Sequence, residues 1–423
     1  MKYDLVIFGG GTSGIAAAYT ACKLGLNTLL IEATDVLGGA ITQGLVVPVM
    51  KLNSEGINTD FYADLIKFSQ KYNAQNTFSD SNTGWFNPEL LKIVFDDMLK
   101  SVNCNVLFST LPTSIAFDKN NNVFSIDLKH KTLSLHIDTQ YIIDATAFGE
   151  IFKILNYNFQ EKNILKQACS LRFNISNVDL YKFANYIKEI DTDRNISPID
   201  ETDSGIHLST AYTWDTNKNW ALAPIFEEAL KNNDLKLNDN AYFQLFTVAN
   251  MPNTVAINAP RIILEENEDI TDPFVYSKAL IQGRERIYRL FNFCKKYLKG
   301  FENCFISHIS DTLGVREYSR IKGKYTFTKD DVITPKNFEN IAFACDYPID
   351  IHSNNKENDN LTHINKTCYV PIEVLICENN DNLYGIGKIL SADFEAHSAL
   401  RTQLSCFSMG EAAAKDIFSK INK

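Results

Sequence analysis

Apolar and polar residues near the start of the chain follow a strand, helix, strand order. The run DLVIF at 4–8 is short, apolar and rich in strand formers, which predicts a buried strand. The alanine-rich residues 13–24 predict a helix, and TLLI at 28–31 predicts a second strand. Because this order builds parallel α/β sheets, we expect an α/β fold at the N-terminus.

The middle of the chain has a different pattern. VFSIDL at 123–128 and the run at 133–137 resemble the two arms of a hairpin, and SLRFNI at 170–175 alternates apolar and polar residues. Long helices are expected at 222–231 and 274–298. This mixture predicts an antiparallel sheet flanked by helices.

Two features of the C-terminal part add to this picture. Residues 403–419 predict an amphipathic helix that ends near Lys420 and Lys423. The polar stretch SNNKENDN at 353–360 predicts an exposed loop.

Composition excludes several classes of protein. A chain of 423 residues with 45% hydrophobic content can form two or more domains. The net charge is −10 without a basic stripe, so we expect no nucleic-acid partner. Apolar runs fall short of the roughly 18 residues that a membrane span needs, so no membrane association is expected. The nine cysteines lack close-spaced pairs, which disfavours a disulfide framework or a metal site and makes a cytoplasmic location the default.

Three glycines between the first strand and helix carry the first chemical signal. Gly9, Gly11 and Gly14 have the G-x-G-x-x-G spacing, which allows a tight turn, a close approach to a pyrophosphate and close packing of the helix. Glu32 ends the second strand, 18 residues after Gly14, where an acid can bind ribose hydroxyls and repel a 2′-phosphate. The sequence therefore predicts a dinucleotide site that disfavours NADP.

The stretch after Glu32 distinguishes an FAD-binding site from an NAD-binding site. VLGGAITQGLVVPV at 36–49 places Gly38 and Gly39 directly after the second strand. An NAD-binding unit normally continues there with another strand–helix repeat, whereas a glycine-rich loop suits a long, extended cofactor. This favours FAD.

With these motifs the chain resembles FAD-dependent oxidoreductases of the glutathione-reductase-like fold, in a group with an LGVRExxRIxGxY signature. Most of the chain shares the resemblance, except about 180–250. Its segments, beyond the N-terminal fingerprint, are LGGAITQGLV (37–46), FNPELLKIVFDDML (86–99), VLFST (106–110), YIIDAT (141–146), the block 258–352 with NAPRI, DTLGVREYSRIKGKYTFTKDDV and YPIDIH, and YGIGKILSADFEAHSALRTQLSCFSMGEAAA (384–414).

The resemblance implies a set of residues around a noncovalently bound FAD. The chain departs from the family pattern at Ala147, where a glycine is usual, and at Lys388, where an arginine is usual. The implied FAD contacts are Gly9, Gly11, Thr12, Ser13 and Gly14 at the pyrophosphate, Glu32 and Ala33 at the ribose, Leu111, Ala145 and Thr146 on the adenine side, and Gly38, Gly39, Ala40, Thr42, Gly387, Asp393, Leu400, Arg401, Thr402 and Gln403 around the ribityl chain and flavin.

The same resemblance implies a domain division. We expect a Rossmann-like, glutathione-reductase-like FAD-binding domain made of residues 1–150 and 341–423. An α+β substrate or cap domain, 151–340, would be inserted between its two parts.

Four residues are candidates for catalysis: Arg316, His352, His397 and Arg401. On a strand, Arg316 and Arg320 would share a face and could clamp an anion. The alternative is a structural ion-pair network between domains that includes Glu317. His352, beside a carboxylate, could move a proton, or it could be a structural histidine. His397 and Arg401 would lie near the flavin ring, and Arg261 is a weaker candidate.

These observations predict an FAD-dependent oxidoreductase. It would transfer hydride or electrons between FAD and a small metabolite, for which the arginines suggest an anion. A diffusible electron donor or acceptor would complete the cycle, because no second dinucleotide motif is present. Two alternatives stay open, an FAD-binding subunit of an electron-transfer or RNA-modifying complex and a nucleotide-binding module without activity. Oligomeric state and reaction direction are also open.

Overall fold

The computed structural model describes residues 1–78, 81–161, 166–191, 198–202, 205–212, 220–239, 242–353 and 360–423. The loop predicted at 353–360 therefore lies almost wholly outside the described residues. The helices are α1 (Thr12–Lys23), α2 (Asp60–Lys71), α3 (Pro88–Ser101), α4 (Glu150–Ile154), α5 (Leu180–Ile190), α6 (Ala223–Lys231), α7 (Pro273–Tyr297), α8 (Lys329–Ile333), α9 (Phe394–Leu400) and α10 (Gln403–Ile421).

The strands form two large sheets and several two-stranded pairs. They are β1 (Lys2–Phe8), β2 (Thr28–Ile31), β3 (Gln75–Asn76), β4 (Trp85–Phe86), β5 (Asn105–Leu107), β6 (Thr110–Asp118), β7 (Val123–His130), β8 (Leu133–Asp144), β9 (Cys169–Ser170), β10 (Phe173–Ser176), β11 (Ile199–Thr202), β12 (Gly205–Tyr212), β13 (Phe243–Thr247), β14 (Val255–Asn258), β15 (Arg261–Ile262), β16 (Phe305–Ile309), β17 (Ile341–Cys345), β18 (Ile349–Ile351), β19 (Asn360–Thr362), β20 (Cys368–Pro371), β21 (Ile376–Cys377) and β22 (Asn380–Gly385).

The first sheet has a parallel centre. Its strand order is β22-β8-β1-β2-β5, and every neighbouring pair in that order is parallel. The last four residues of β1 and all of β2 are buried, which explains why both strands are apolar without alternation. The predicted α/β fold with a parallel sheet is confirmed.

An antiparallel extension grows from the same sheet. β8 is 12 residues long, and its first half pairs with β7 while its second half pairs with β1 and β22. β7 in turn pairs with β6. The hairpin predicted at 123–128 and 133–137 is confirmed, and its second arm continues into the parallel sheet.

The second sheet is antiparallel throughout, in the order β11-β12-β13-β14-β10-β16. One face packs with α5, α6 and α7 in a core that includes Phe173, Ile257 and Phe293. The opposite face carries Phe246 and Ala256, which belong to the core around the first sheet. The second sheet is therefore buried on both faces, and the face with Phe246 and Ala256 packs against the core around the first sheet.

The segment between β16 and β17 also packs against the first sheet. Phe327 and Val332 are fully buried in the same core as Leu5 of β1. Ile321 packs with residues such as Ile142 on the other side of the first sheet. Among the described residues, no helix is both long enough and apolar enough to cross a bilayer.

Close packing of α1 against α10 fixes the C-terminal helix on the first sheet. A Cβ atom added at Gly410 would lie 2.2 Å from the backbone oxygen of Ser13 and 2.8 Å from the nitrogen of Ala17. No side chain fits between these backbones, so glycine is required here.

We expect Gly410→Ala to destabilise the protein by about 1–3 kcal/mol, because α1 and α10 must move apart to admit the methyl group. The free energy of unfolding in urea measures this. Ser419→Ala, at an exposed position of the same helix, is the matched control and should change stability by less than about 0.5 kcal/mol. Equal stability of the two variants would contradict the packing argument.

Candidate functional site

The glycine loop after β1 has two crowded glycines and one open one. A Cβ at Gly9, where φ is +95°, would lie 2.6 Å from the oxygen of Ala145, and one at Gly14 would lie 1.8 Å from the oxygen of Gly9. A Cβ at Gly11 would meet no atom within 4 Å. The loop therefore closes tightly against β8 and leaves a free space in front of Gly11.

The N-terminus of α1 points into this space. Gly11 is the N-cap residue, no side chain caps the helix, and the first turn carries no acid. The first amide N–H groups of a helix lack intrahelical acceptors and lie at the positive end of its dipole. This is an anion site that suits a diphosphate.

Glu32 is held at the edge of the same loop. Its Oε2 accepts a hydrogen bond from the Gly10 N–H at 2.6 Å, and its Oε1 accepts from the N–H and hydroxyl of Thr34, both at 2.8 Å. Ala33 is exposed beside it. The ribose contact of Glu32 and Ala33 stays a prediction.

The second glycine loop lies next to the first. The Gly38 N–H donates to the Gly10 oxygen at 2.8 Å, and a Cβ at Gly39 would lie 3.1 Å from the Cα of Gly11. Both Gly38 and Gly39 have positive φ angles, 102° and 51°. The Thr42 hydroxyl is fully buried and donates to the Leu37 oxygen at 2.6 Å, so it stabilises the loop itself.

The C-terminal segment completes this side of the site. Gln403, at the start of α10, accepts from the Thr12 hydroxyl at 2.6 Å and donates to the Val46 oxygen at 3.0 Å. It thereby joins the N-termini of α1 and α10 to the second glycine loop. Gly387 has φ +73° and lies against Ser13.

Other implied FAD contacts have structural partners of their own. The Asp393 carboxylate caps α9 through the Ala396 N–H at 2.8 Å and accepts the Lys329 N–H at 2.7 Å. The Thr402 hydroxyl bonds that of Ser405. The remaining members of the set are Ala40 on the second glycine loop, Leu111 on β6 with an exposed side chain, and the buried Leu400 of α9.

The end of β8 is tied down by a buried carboxylate. Asp144 is fully buried and accepts hydrogen bonds from the N–H and hydroxyl of Thr146 and from the N–H groups of Ile151 and Phe152. Burial raises its pKa, and these donors oppose the rise. Ala147 has φ +69°, a left-handed conformation that favours glycine, which gives a physical reason for the glycine usual at this position.

A second cluster collects positive charge. Arg316 donates to the Ala168 oxygen, and Arg401 donates from Nη2 to the Gln167 Oε1 at 3.0 Å and to the Asp350 oxygen at 3.4 Å. The Nε atom of Arg401 and the Nε2 atom of Gln167 are buried without a partner in the described structure. Two of the predicted catalytic arginines therefore lie in one cluster.

His352 lies in the same cluster, with both ring nitrogens engaged. Its Nε2 is 3.2 Å from Asp350 Oδ2, and its Nδ1 is 3.2 Å from Arg261 Nη2. The ring of Tyr242 packs edge-on against the His352 ring, with the two ring centroids 5.5 Å apart. These contacts fit a neutral ring that donates from Nε2 to Asp350 and accepts at Nδ1 from Arg261.

The local charges set the protonation states. Burial and the charge of Arg316 lower the pKa of His352 to about 4. Burial alone would raise the pKa of Asp350, but the hydrogen bond to His352 and the nearby charges lower it to about 2. The pKa of Arg316 is lowered to about 10, first by burial and then by the charges of Arg401, Arg261 and Arg172. At neutral pH the cluster holds cationic arginines, a neutral histidine and one carboxylate.

The expectation that Arg316 and Arg320 share a strand face is wrong. Residues 315–320 pair with no strand. Arg320 instead forms a buried ion pair with Glu317 and donates to the Ala392 oxygen at 3.0 Å. Specific side-chain to backbone bonds hold this segment, so strand periodicity does not apply, and the ion-pair alternative describes Arg320.

His397 is enclosed rather than open to the cluster. It is fully buried, and its Nε2 lies 2.8 Å from the Lys388 oxygen. Burial and neighbouring cations hold its pKa well below the usual range. The ammonium of Lys388 donates to the Val315 oxygen at 2.6 Å, and burial lowers its pKa to about 8. The His397 ring is therefore enclosed, although the His397 oxygen accepts a hydrogen bond from the Arg401 N–H at 3.1 Å.

Sequence reasoning missed three members of the cluster. Arg172 donates to the oxygens of Leu45 and Val47, and its Nε is buried without a partner in the described part of the chain. Gln167 and Tyr242 are the others. The alternation in SLRFNI sets Arg172 on the face opposite Phe173 and could have revealed it, whereas nothing in the sequence marks the other two.

The open glycine loop at the uncapped N-terminus of α1 is suited to bind the diphosphate of a nucleotide. The chain belongs to the FAD dependent oxidoreductase family, whose model matches residues 4–416. It is therefore an enzyme that uses FAD. The open Gly11, the uncapped α1 and the adjoining second glycine loop fit this cofactor.

Two solved flavoprotein structures share the fold over the whole chain. A flavoprotein/dehydrogenase from Cytophaga hutchinsonii is 11% identical with a TM-score of 0.50, and the match covers 100% of this chain and 79% of that one. A p-nitrophenol 4-monooxygenase from Pseudomonas putida is 8% identical with a TM-score of 0.50, with 100% and 81% covered. At these identities the likeness shows the fold alone. No curated protein matches the sequence.

We expect Gly11→Ala to weaken FAD binding by roughly tenfold or more without loss of folding, because the new methyl group fills the space before the α1 amides. Gly11 has φ −76°, which alanine also adopts. Titration of FAD into apoprotein, followed by flavin fluorescence, measures the dissociation constant. An unchanged constant in a normally folded variant would place the diphosphate elsewhere.

The protonation of His352 predicts a pH dependence of stability. Its folded pKa of about 4 lies below the ordinary 6.5, so the unfolded chain binds more protons between these pH values and stability falls as the pH drops. From pH 7 to pH 5, wild type should lose about 2 kcal/mol more than His352→Gln in urea unfolding. Parallel losses in both proteins would show that His352 is not held neutral.

Proposed function

We propose that this flavoenzyme transfers hydride or electrons between noncovalently bound FAD and a small anionic metabolite. The single observation that carries the proposal is the surplus of cationic side chains in the buried cluster. The charges of Arg172, Arg261 and Arg401 act on Arg316, and the carboxylate of Asp350 lies near Arg316 and Arg401. Because buried like charges repel one another, a bound anion would stabilise the cluster.

The proposed position of FAD follows the two glycine loops. The diphosphate would lie at the N-terminus of α1, before Gly11, with Glu32 at the ribose. The flavin would extend past Gly38 and Gly39 toward the N-terminus of α10, since Gln403 joins these elements. FAD bound there supplies a reversible two-electron acceptor.

The proposal includes the finer fold assignment. We infer a glutathione-reductase-like FAD domain from residues 1–150 and 341–423 and a substrate domain from 151–340, in a cytoplasmic protein. The parallel strand order β22-β8-β1-β2-β5 supports the first assignment, and the antiparallel second sheet supports the other. The cationic cluster takes residues from both proposed domains, so substrate would bind between them.

The residues of the cluster have distinct proposed roles. Arg316 and Arg401 would bind and orient the anion, for which guanidinium groups have suitable planar donors. His352, which is neutral above about pH 4, can accept a proton at Nδ1 when Arg261 turns from that atom to the substrate. Asp350 would keep the ring oriented through Nε2. A diffusible donor or acceptor would complete the electron cycle.

Ligand titrations of the FAD-loaded protein test the preference for anions. Acetate, succinate and phosphate are compared with neutral acetamide through the flavin difference spectrum. At least one anion should bind more tightly than acetamide, and Arg316→Gln should weaken that anion by about tenfold or more through loss of a charged hydrogen-bond donor.

Arg284→Gln is the matched control, because Arg284 is an exposed arginine on α7. It should leave anion affinity unchanged. Equal affinity for acetamide and every anion would refute the proposed substrate class, and protein that stays colourless after FAD addition would refute the flavin proposal.

A further inference from the structure

We propose that a subsite on the second sheet recognises a hydroxyl group of the substrate, so that the substrate is a hydroxylated anion such as a hydroxy acid. This inference rests on the proposed function and specifies its substrate. The subsite, here called the polar row, is made of Arg172, which directly precedes β10, Asn258 of β14 and Gln244 of β13.

Strand alternation places the polar row on the face of the second sheet that is directed toward the first sheet. Phe173 of β10 and Ile257 of β14 point into the core of the second sheet. Their neighbours Arg172 and Asn258 therefore point to the opposite face. Ala256, on that same face of β14, packs in the core around the first sheet, which confirms the direction.

The strand register makes the three residues neighbours. Phe173 pairs with Ile257 in the antiparallel β10–β14 ladder, so continuing that register by one residue puts Arg172 opposite Asn258. Asn258 pairs directly with Gln244 of β13. Side chains at such opposed positions start about 5 Å apart.

Two atoms of this row are buried without a hydrogen-bond partner in the described structure. They are Oδ1 of Asn258, a residue only 7% exposed, and Nε of Arg172. The first is an acceptor and the second is a donor. Leaving such groups unpaired in a folded protein is costly, so a ligand that satisfies both would gain affinity.

The chemistry of the two atoms selects a hydroxyl group. A hydroxyl can accept from Arg172 Nε and donate to Asn258 Oδ1 through one oxygen. A carbonyl cannot donate, and an ammonium cannot accept and would be repelled by the surrounding guanidinium groups. The Gln244 Oε1 already accepts from the Tyr242 hydroxyl at 3.1 Å, which fixes the edge of the row.

Matched acids test the subsite in the FAD-loaded protein by isothermal titration calorimetry. The pairs are 2-hydroxypropionate with propionate, and gluconate with hexanoate, and alanine replaces the hydroxyl by an ammonium. In wild type at least one hydroxy acid should bind about tenfold or more tightly than its deoxy partner and more tightly than alanine.

Asn258→Leu keeps the side-chain size and removes the amide. It should bring the hydroxy to deoxy affinity ratio close to one by weakening the hydroxy acid alone. Asn258→Ala serves as the second variant if the leucine disturbs folding. Asn292→Leu, at an exposed position of α7, is the control and should keep the wild-type ratio.

The outcomes separate this inference from the proposed function. Equal binding of hydroxy and deoxy acids, an unchanged ratio in both Asn258 variants, or tighter binding of alanine would overturn the hydroxyl subsite and leave the preference for anions intact. If no acid binds better than acetamide, the anionic substrate class fails and the subsite fails with it.

Discussion

Direct contact between backbones, made possible by missing side chains, is the constraint on which this structure depends. Gly14 brings the first turn of α1 against the Gly9 carbonyl, and Gly410 brings α10 against the backbone of α1 at Ser13 and Ala17. These contacts leave the N-termini of two helices beside one another. Because helix N-termini attract negative charge, the packing of the fold itself prepares the site for a dinucleotide.

The buried cationic cluster is the second consequence of how the parts assemble. Arg172 comes from the second sheet, Arg261 and Arg316 come from loops and a short strand around it, and Arg401 lies between α9 and α10. The guanidinium groups of Arg172, Arg316 and Arg401 donate to backbone or amide oxygens, which are neutral acceptors. Such contacts orient the charges without neutralising them, so the cluster keeps its positive field and holds His352 neutral.

The two halves of the site meet at a loop that belongs to both. Gln403 donates to the Val46 oxygen, and Arg172 donates to the oxygens of its neighbours Leu45 and Val47. The loop after the second glycine pair is therefore fixed from α10 on one side and from the second sheet on the other. In the proposed mechanism this keeps cofactor and substrate at a constant separation, which hydride transfer requires.

The sequence by itself determined the local features. Strand β1, helix α1, strand β2 and the crowded glycines follow from residue type and short-range spacing, because backbone conformation and close packing act over a few residues. It also indicated Arg316, His352 and Arg401 by resemblance. What only the tertiary structure decided is which charges meet: it joined Arg172, Gln167 and Tyr242 to the cluster, set Arg320 against Glu317 and enclosed His397. The contacts of Arg172 with Leu45, of Gln167 with Arg401 and of Tyr242 with His352 join residues more than a hundred positions apart. The periodicity of a sequence carries no information on such contacts, because only the tertiary fold brings these residues together.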